Sequence, residues 1–306
     1  MSGAFTGSCI QFTSARDYEP NIRVVSDLVR RARDGGADFV VTPENTGLTE
    51  PVGKLRREKA RDEANHPVLA ALHEVARETG VWLLIGSLAI DLSREPGEAE
   101  GERRLANRSY LIDPNGAIVA RYDKVHMFDV DLAGGESYRE SNAFRPGGQS
   151  VLADTPWGVL GMTVCYDLRF PHLYRALAQA GADFLAIPSA FTVPTGKAHW
   201  HVLMRARAIE NGCYVFAPAQ WGEHAEGRRT YGHSLIVDPW GEVLADGGEG
   251  VGIISARIDL AAIVKARRMV PSLKHDRPFT QPELAVRAPL AAESDRVRSP
   301  RRLRRG

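Results

Sequence analysis

The sequence VLGMTVCYDLRFPHLYRALAQAG (residues 159–181) combines an apolar run, a lone cysteine and the start of a helix. Val159 to Val164 is a short apolar run, which is typical of a buried strand. Apolar residues recur at helical spacing after Pro171, and proline favours the first turn of a helix. The sequence therefore predicts a strand followed by a helix, with Cys165 at the junction between them.

Cys165 stands at a position where a thiol can be chemically active. The first N–H groups of a helix are unpaired and its dipole is positive there, which favours a thiolate and can stabilise an oxyanion. The alternative is an inert core residue, because free cysteines commonly pack as small hydrophobic side chains. Cys9 and Cys213 are distant in the sequence, and three cysteines argue against a disulfide framework and fit a reducing cytoplasm.

Strand-like and helix-like segments alternate along the rest of the chain. Expected strands cover residues 4–12, 38–42, 81–90, 183–187, 213–218 and 234–237, and expected helices cover residues 21–34, 68–79 and 198–211. Turn-forming residues at 113–116, 155–158 and 238–241 predict hairpins. Together, βα units and hairpins predict an α/β protein with a mixed sheet system covered by helices. Strands and helices alternate in a similar way before and after about residue 150, which predicts two layered sheets.

Length and composition predict the number of domains and a basic C-terminal segment. A chain of 306 residues with 43% hydrophobic content can form one large domain or two small ones. No stretch reads as a long linker, so we expect one domain over residues 1–284. The whole chain has a formal net charge of +1, and residues 296–306 contain six arginines and no acid. Residues 1–295 therefore have a net charge of −5. We expect residues 285–306 to be a basic, disordered tail, with weak binding to nucleic acid or another polyanion as the alternative.

The sequence also predicts a cytoplasmic protein. The N-terminus lacks the basic and apolar regions of a signal peptide. The longest apolar runs have the length of strands and are too short to span a bilayer.

Two further polar residues follow apolar strands in the manner of Cys165. Glu44 comes after ADFVVTP and Lys124 comes after AIVARYD. Ligand sites of α/β sheets lie beyond the carboxyl ends of strands, so a carboxylate, an ammonium and a thiol would converge if these strands are neighbours. Each residue also has a non-catalytic alternative. Glu44 is equally consistent with an acidic loop residue or a helix N-cap partner, and Lys124 with a solvated surface charge.

Several blocks of this sequence resemble the nitrilase superfamily of carbon–nitrogen hydrolases. The blocks are VVTPENTGL, RYDKVHMFDVDL, GMTVCYDLRFPHLYRAL, PSAFTVPTGKAHWHVLMRARAIENGCYVFAPAQ and YGHSLIVDPWGEVLAD, and the resemblance covers roughly residues 5–280. It implies a four-layer α-β-β-α sandwich, which dimerises through its outer helices to an α-β-β-α-α-β-β-α assembly or forms a higher homo-oligomer. It also implies a catalytic set of Glu44, Lys124 and Cys165. The family's second glutamate matches Glu140, next to Ser141, rather than its neighbour Glu136.

The resemblance implies amide hydrolysis through a thioester. Cys165 would attack the carbonyl carbon, and Glu44 would carry protons between thiol, leaving amine and water. For that task we expect burial to raise the pKa of Glu44 toward neutrality. Lys124 and the backbone N–H of Tyr166 would bind the oxyanion, and Glu140 would orient Lys124 and the substrate.

Metal and nucleotide sites receive little support from the sequence. His126, His199, His201 and His233 are candidate ligands, but His199 and His201 are two residues apart in a helix-like segment and point to different faces. No recognised zinc spacing and no phosphate-binding glycine motif is present. We therefore expect no metal and no cofactor.

Within the superfamily the chain is most similar to the branch of deaminated glutathione amidases and ω-amidases. This similarity implies that a small amide, deaminated glutathione, is cleaved to 2-oxoglutarate and cysteinylglycine. We expect Arg169 to bind a substrate carboxylate, with a structural salt bridge as its alternative, and Tyr166, Phe191 and Thr192 to line the pocket. An ω-amidase acting on 2-oxoglutaramate, a carbamoylase, a nitrilase and a non-catalytic binding module remain the alternatives.

Overall fold

The computed structural model describes residues 3–95, 104–132 and 135–280. One compact unit ends at Lys274, and a separate unit begins at His275. The predicted boundary at residue 284 and the predicted basic tail, residues 285–306, lie outside the described residues, so both remain predictions. Within the described ranges, no helix is long and apolar enough to cross a membrane.

The described residues form sixteen strands and six α-helices. The strands are β1 (Ala4–Gln11), β2 (Phe39–Val41), β3 (Trp82–Asp91), β4 (Leu105–Ile112), β5 (Ile118–Asp123), β6 (Asp129–Asp131), β7 (Ser137–Arg139), β8 (Val151–Thr155), β9 (Gly158–Met162), β10 (Phe184–Ala186), β11 (Tyr214–Ala217), β12 (Trp221–Glu223), β13 (Arg229–Tyr231), β14 (Leu235–Val237), β15 (Val243–Asp246) and β16 (Gly252–Asp259). The helices are α1 (Tyr18–Asp34), α2 (Gly53–Lys59), α3 (Pro67–Thr79), α4 (Pro171–Gln179), α5 (Val193–Asn211) and α6 (Leu260–Met269).

Twelve of these strands form two six-stranded mixed sheets. The first sheet has the order β16-β1-β2-β3-β4-β5, and the second has the order β15-β14-β11-β10-β9-β8. The parallel pairs lie at the centre of each sheet, and the predicted hairpins β4–β5, β8–β9 and β14–β15 supply antiparallel pairs toward the edges. Two short ribbons, β6–β7 and β12–β13, lie outside these sheets.

Aromatic side chains fill the space between the two sheets. Phe39 on β2 meets Phe216 on β11 edge to face, with ring centroids 5.4 Å apart. Phe5 on β1 contacts Phe184 on β10 in the same way, at 5.5 Å. Buried apolar residues of α1 and α3 cover the outer face of the first sheet, and those of α4 and α5 cover the second. The predicted four-layer α-β-β-α sandwich is confirmed, while the dimer remains a prediction.

Local sequence signals account for the helix that follows the cysteine. Pro171 opens α4, where its missing N–H costs no hydrogen bond. Leu173, Tyr174 and Leu177 form one buried stripe on this helix, as the helical spacing predicts. However, Cys165–Arg169 forms a short 3₁₀ helix, so α4 begins six residues beyond the thiol.

The last strand and the last helix of the described residues are absent from the sequence prediction. β16 pairs antiparallel with β1 at the opposite end of the chain, from Gln11–Gly252 to Ala4–Asp259. No short turn joins these two strands, so the sequence carries no local hairpin signal for them. The side chain of Asp259 then caps α6 by accepting a hydrogen bond from the N–H of Ala261, at 2.9 Å.

Gly86 lets β3 approach the loop that leads to Glu44. A Cβ atom at this position would overlap the carbonyl oxygen of Thr42 and lie 2.6 Å from both Pro43 C and Pro188 Cβ. Its N–H donates to Thr42 Oγ1 at 2.9 Å. The carbonyl of Pro188 in turn accepts from the N–H of Cys165, at 2.9 Å. One glycine therefore fixes the spacing of two loops that carry predicted catalytic residues.

We expect Gly86→Ala to lower the free energy of unfolding by about 1–3 kcal/mol, because the added methyl group collides with backbone atoms that cannot rotate away. Urea denaturation measures this loss. The matched control is Gly148→Ala, where a Cβ meets nothing within 4 Å. Equal stability of the two variants would contradict the role of Gly86.

Candidate active site

The three predicted strand-terminal residues meet between the two sheets. Glu44 follows β2 and Lys124 follows β5 of the first sheet, whereas Cys165 follows β9 of the second. The Nζ atom of Lys124 lies 2.9 Å from Glu44 Oε1. All three residues are buried, with at most 7% of their surface exposed. The face-to-face packing of the sheets thus brings together side chains that are far apart in the sequence.

Lys124 is held between two carboxylates. Besides Glu44, its ammonium donates to Glu140 Oε2 at 2.8 Å and to Oε1 at 3.1 Å. Glu140 Oε2 is itself held by the backbone N–H of Phe128, at 2.7 Å. Burial lowers the pKa of Lys124, but the charges of Glu140 and Glu44 raise it well above its ordinary value. Lys124 is therefore a fixed ammonium at neutral pH.

Glu44 is ionised, which corrects the sequence-based expectation for its pKa. Burial raises the pKa of Glu44, but the charge of Lys124 and the hydrogen bonds from Lys124 and Cys165 lower it by more. The resulting pKa lies below the ordinary value near 4.5, so the expectation of a value near neutrality is wrong. The carboxylate is thus poised to accept a proton.

The thiol of Cys165 is protonated at neutral pH. Burial and the charge of Glu44 raise its pKa well above the ordinary value, and the opposing charge of Lys124 does not compensate. The expectation that the start of a helix favours a thiolate is therefore wrong, because the sulfur is buried, a carboxylate faces it, and only a short 3₁₀ helix begins here. A thiol next to an ionised carboxylate forms a nucleophile–base pair.

The backbone at Cys165 is strained. Its φ of +48° lies in the left-handed region, which residues other than glycine rarely adopt. Buried Asp167 holds this turn by accepting hydrogen bonds from the N–H of Val164 at 2.9 Å, the hydroxyl of Tyr122 at 2.7 Å and the N–H of His126 at 3.0 Å. Strain held by surrounding contacts is frequent at functional sites, where it orients a reactive side chain.

Sequence reasoning misses Asn107, which links both carboxylates of the site. Its Nδ2 atom donates to Glu44 Oε1 at 2.9 Å and to Glu140 Oε1 at 3.0 Å. Its backbone carbonyl accepts from the N–H of Lys124, at 2.9 Å. Asn107 lies within LANRSYLI, which forms a buried strand. Its neighbours Arg108 and Ser109 are polar as well, so no sequence signal sets Asn107 apart.

A cavity of about 580 Å³ opens above these residues. Its wall includes all four predicted substrate-binding residues, namely Tyr166, Arg169, Phe191 and Thr192. Five arginines also line it: Arg56, Arg57, Arg139, Arg169 and Arg228. The cavity therefore combines a buried thiol with a wall that is rich in positive charge.

The guanidinium of Arg169 lies against aromatic rings rather than in a salt bridge. Its Cζ atom is 5.4 Å from the ring centroid of Phe191 and 5.9 Å from that of Tyr166. Its Nη1 atom is 3.3 Å from His199 Nδ1. Among the described residues, no carboxylate forms an ion pair with Arg169. This environment favours the predicted role in anion binding over the structural alternative.

Arg228 is a second cavity arginine that sequence reasoning does not select. Its guanidinium lies 5.9 Å from the ring centroid of Tyr138, and its buried Nε atom has no hydrogen-bond partner among the described residues. An Nη2 contact with the carbonyl of Ala190, at 3.5 Å, is long. Arg139, by contrast, is paired with Asp131 at 2.8 Å.

The histidines considered as ligands do not gather around the cavity. His126 Nδ1 contacts Asp167 at 2.7 Å, and its ring stacks on Phe170 at 3.5 Å. His201 and His233 both contact Asp246, away from the residues that line the cavity.

Comparisons with known proteins agree with this geometry. The family model of carbon-nitrogen hydrolases matches residues 8–268. The deaminated glutathione amidase of Yersinia enterocolitica is 39% identical over 88% of this chain and 91% of its own length. The deaminated glutathione amidase of Homo sapiens is 42% identical over 88% of this chain and 81% of its own length.

Solved structures share the fold. The C. elegans NitFhit protein superposes with a TM-score of 0.82 at 37% identity, and the match covers 90% of this chain but 66% of that longer protein. A variant of the amidase from Nesterenkonia sp. AN1, with acrylamide added to its active-site cysteine, gives a TM-score of 0.70 at 25% identity, over 87% of this chain and 98% of its own. The chain therefore belongs to the carbon-nitrogen hydrolase family, as the sequence resemblance predicts, and is a hydrolase of amide C–N bonds.

Proposed function

We propose that this hydrolase cleaves deaminated glutathione to 2-oxoglutarate and cysteinylglycine, with Cys165 as its nucleophile. The observation that carries the chemistry is the buried Lys124 ammonium, held between Glu44 and Glu140 beside the thiol. The relatives from Yersinia enterocolitica and Homo sapiens, both named deaminated glutathione amidase, support the choice of substrate.

Acylation begins with proton transfer from Cys165 to the ionised Glu44. The sulfur attacks the amide carbon, a C–S bond forms, and the carbonyl electron pair moves onto oxygen. Glu44 then gives its proton to the amide nitrogen as the C–N bond breaks, so that cysteinylglycine leaves as a neutral amine. The acyl group remains on Cys165 as a thioester.

Deacylation uses the same groups with water as the nucleophile. Glu44 takes a proton from water, the resulting hydroxide attacks the thioester carbon, and the C–S bond breaks. The thiolate recovers the proton from Glu44, which returns the site to its starting state. The new carboxylic acid loses its proton to solvent, which leaves 2-oxoglutarate and the free enzyme.

Lys124 and the N–H of Tyr166 stabilise the oxyanion in both half-reactions. Glu44 and Glu140 fix the position of the Lys124 ammonium, which lines the cavity. The N–H of Tyr166 is near the start of a 3₁₀ helix, where the first N–H groups have no acceptor within the helix. Such preorganised donors are worth more in a buried site than in water. Asn107 and Glu140 act as positioning residues for Lys124 and Glu44.

The arginines of the cavity match the charge of the substrate. Deaminated glutathione carries two carboxylates, one at the 2-oxo acid end and one on glycine. Arg169 and Arg228 both line the cavity, and within the described part of the chain neither forms an ion pair with a carboxylate. Guanidinium groups bind carboxylates through two parallel hydrogen bonds. 2-Oxoglutaramate, the substrate of the ω-amidase alternative, carries only one carboxylate.

We expect Cys165→Ala to abolish turnover of deaminated glutathione and Lys124→Ala to lower kcat by about 10²–10³, the usual loss for one oxyanion donor. Glu44→Gln should remove both proton-transfer steps. Release of cysteinylglycine, followed by mass spectrometry, measures these effects. Cys9→Ala and Glu136→Gln are matched controls that should retain activity. Turnover near the wild-type level in Cys165→Ala or Glu44→Gln would contradict the mechanism.

The pKa shifts predict a broad pH plateau for kcat/KM. The pKa of Glu44 is lowered, so its carboxylate is lost only as the pH falls through a value below 4.5. The pKa of Cys165 is raised, so ionisation of the thiol does not add activity between pH 7 and its ordinary value of 9.0. We expect a flat profile from about pH 5 to 9, with circular dichroism at each pH to verify folding. A loss of kcat/KM as the pH falls through 6–7, or a tenfold rise in kcat/KM per pH unit above 7, would contradict an ionised Glu44 beside a protonated Cys165.

Arginine variants test the choice of substrate. We expect Arg169→Gln and Arg228→Gln each to raise KM for deaminated glutathione by about tenfold or more, because a charged hydrogen bond contributes about 1.5–3 kcal/mol. For 2-oxoglutaramate only one of the two substitutions should have this effect, since a single carboxylate needs one partner. Steady-state kinetics with both substrates separates the cases. Equal, small effects of both substitutions on both substrates would refute the assignment.

A further inference from the structure

Two imidazoles and one carboxylate meet outside the catalytic cavity. His201 lies on α5, His233 precedes β14, and Asp246 ends β15. His201 Nε2 is 2.9 Å from Asp246 Oδ2, and His233 Nδ1 is 3.0 Å from Asp246 Oδ1 and 3.3 Å from Oδ2. One ligand-type atom from each residue lies within 4.8 Å of the other two. Three separate elements therefore direct nitrogen and oxygen donors toward one point.

We propose that His201, His233 and Asp246 bind one divalent transition-metal ion, for which Zn²⁺ is the best fit. Imidazole nitrogen and carboxylate oxygen are ligands that Zn²⁺ accepts, with bonds of about 2.0–2.2 Å. In a tetrahedron with such bonds, neighbouring donor atoms are about 3.3 Å apart. The distances from Asp246 to the two imidazoles are already close to this value. The ligand nitrogens of the two imidazoles lie within 4.8 Å of each other.

The backbone around the cluster is held in place. The indole N–H of Trp200 donates to the carbonyl of His233 at 2.7 Å, and the N–H of His233 donates to the carbonyl of Gly248 at 2.9 Å. The N–H of Gly248 donates in turn to Asp246 Oδ1, at 2.8 Å. Outer contacts of this kind orient metal ligands and raise metal affinity.

An aromatic neighbour also holds the ring of His233 in place. Tyr231 stacks on it with ring centroids 4.5 Å apart and an interplanar angle of 23°. The φ of His233 is +54°, so its side chain leaves the chain from a left-handed position that these contacts maintain. The imidazole therefore presents Nδ1 to the cluster without having to be ordered by the ion.

The cluster is accessible to an ion from solvent. The side chains of His201, His233 and Asp246 are 36%, 23% and 35% exposed. Three protein ligands leave a fourth position of the tetrahedron for water. None of the three residues lines the catalytic cavity, so this ion takes no part in the proposed amide chemistry.

The site connects α5 and the edge strand β15 to the wall of the catalytic cavity. The N–H of Tyr231, next to the cluster, donates to the carbonyl of Phe191 at 3.0 Å. Thr230 and Thr192 form an antiparallel bridge beside this bond. An ion that joins α5 to β15 would thus stabilise the segment against which Phe191 and Thr192 are held. The proposed role of the metal is structural.

Zinc binding to the chelator-treated, full-length chain tests this proposal. The titration uses the Cys165→Ala background, so that the active-site thiol cannot bind the ion. We expect one Zn²⁺ per chain and a rise in Tm with Zn²⁺, because an ion that binds only the folded state stabilises it. Asp246→Asn and His233→Asn should each lower zinc affinity by about tenfold or more. Asparagine is chosen at 233 because it tolerates a positive φ.

Two further variants make the result decisive if His233→Asn fails to fold. His201→Gln changes a half-exposed helical residue and should also weaken zinc binding, whereas His275→Gln, at an exposed histidine outside the cluster, should not. Absence of zinc binding would leave a hydrogen-bonded His–Asp–His group and overturn the proposal. Zinc binding in both His201→Gln and Asp246→Asn as tight as in the Cys165→Ala parent would place the ion elsewhere and overturn the proposal as well.

Discussion

The buried ammonium of Lys124, held between Glu44 and Glu140, is the interaction on which the catalytic site depends. Removing these charges from water is costly, and their attraction offsets that cost only when all three are placed together. Asn107 completes the arrangement by donating to both carboxylates. The same pairing keeps Glu44 ionised. Burial and the charge of Glu44 together keep the thiol of Cys165 protonated. One electrostatic arrangement thus sets the starting state of the proposed reaction.

The packing of two sheets makes this arrangement possible. Glu44 and Lys124 come from the first sheet, and Cys165 comes from the second. Gly86 allows the loops around Pro43 and Pro188 to approach closely, so that carboxylate and thiol face each other across the interface. A rigid interior of this kind transmits small displacements to the site. Stability and reactivity are therefore linked through the same contacts.

Much of the fold is predictable because its signals are local. The apolar run before Cys165 and the proline-led helix after it appear where periodicity places them, and the hairpin turns occur as expected. β16 is missed because its partner β1 lies at the other end of the chain. Asn107 is missed because it occupies an ordinary strand position, and Arg228 because an arginine in a loop carries no signal of its own. The pKa of Glu44 is predicted with the wrong sign, since burial is visible in the sequence pattern but a 2.9 Å ion pair is not.

The sequence establishes the order of the elements with local signals, the family, and the identity of the thiol, carboxylate and ammonium, because periodicity and motifs are properties of neighbouring residues. The charge states of Glu44 and Cys165 and the meeting of His201, His233 and Asp246 arise only in the folded chain. Electrostatic and ligand-binding energies depend on distances of a few ångströms. Those distances are set by side chains from separate elements, which come together only when the sheets and helices pack.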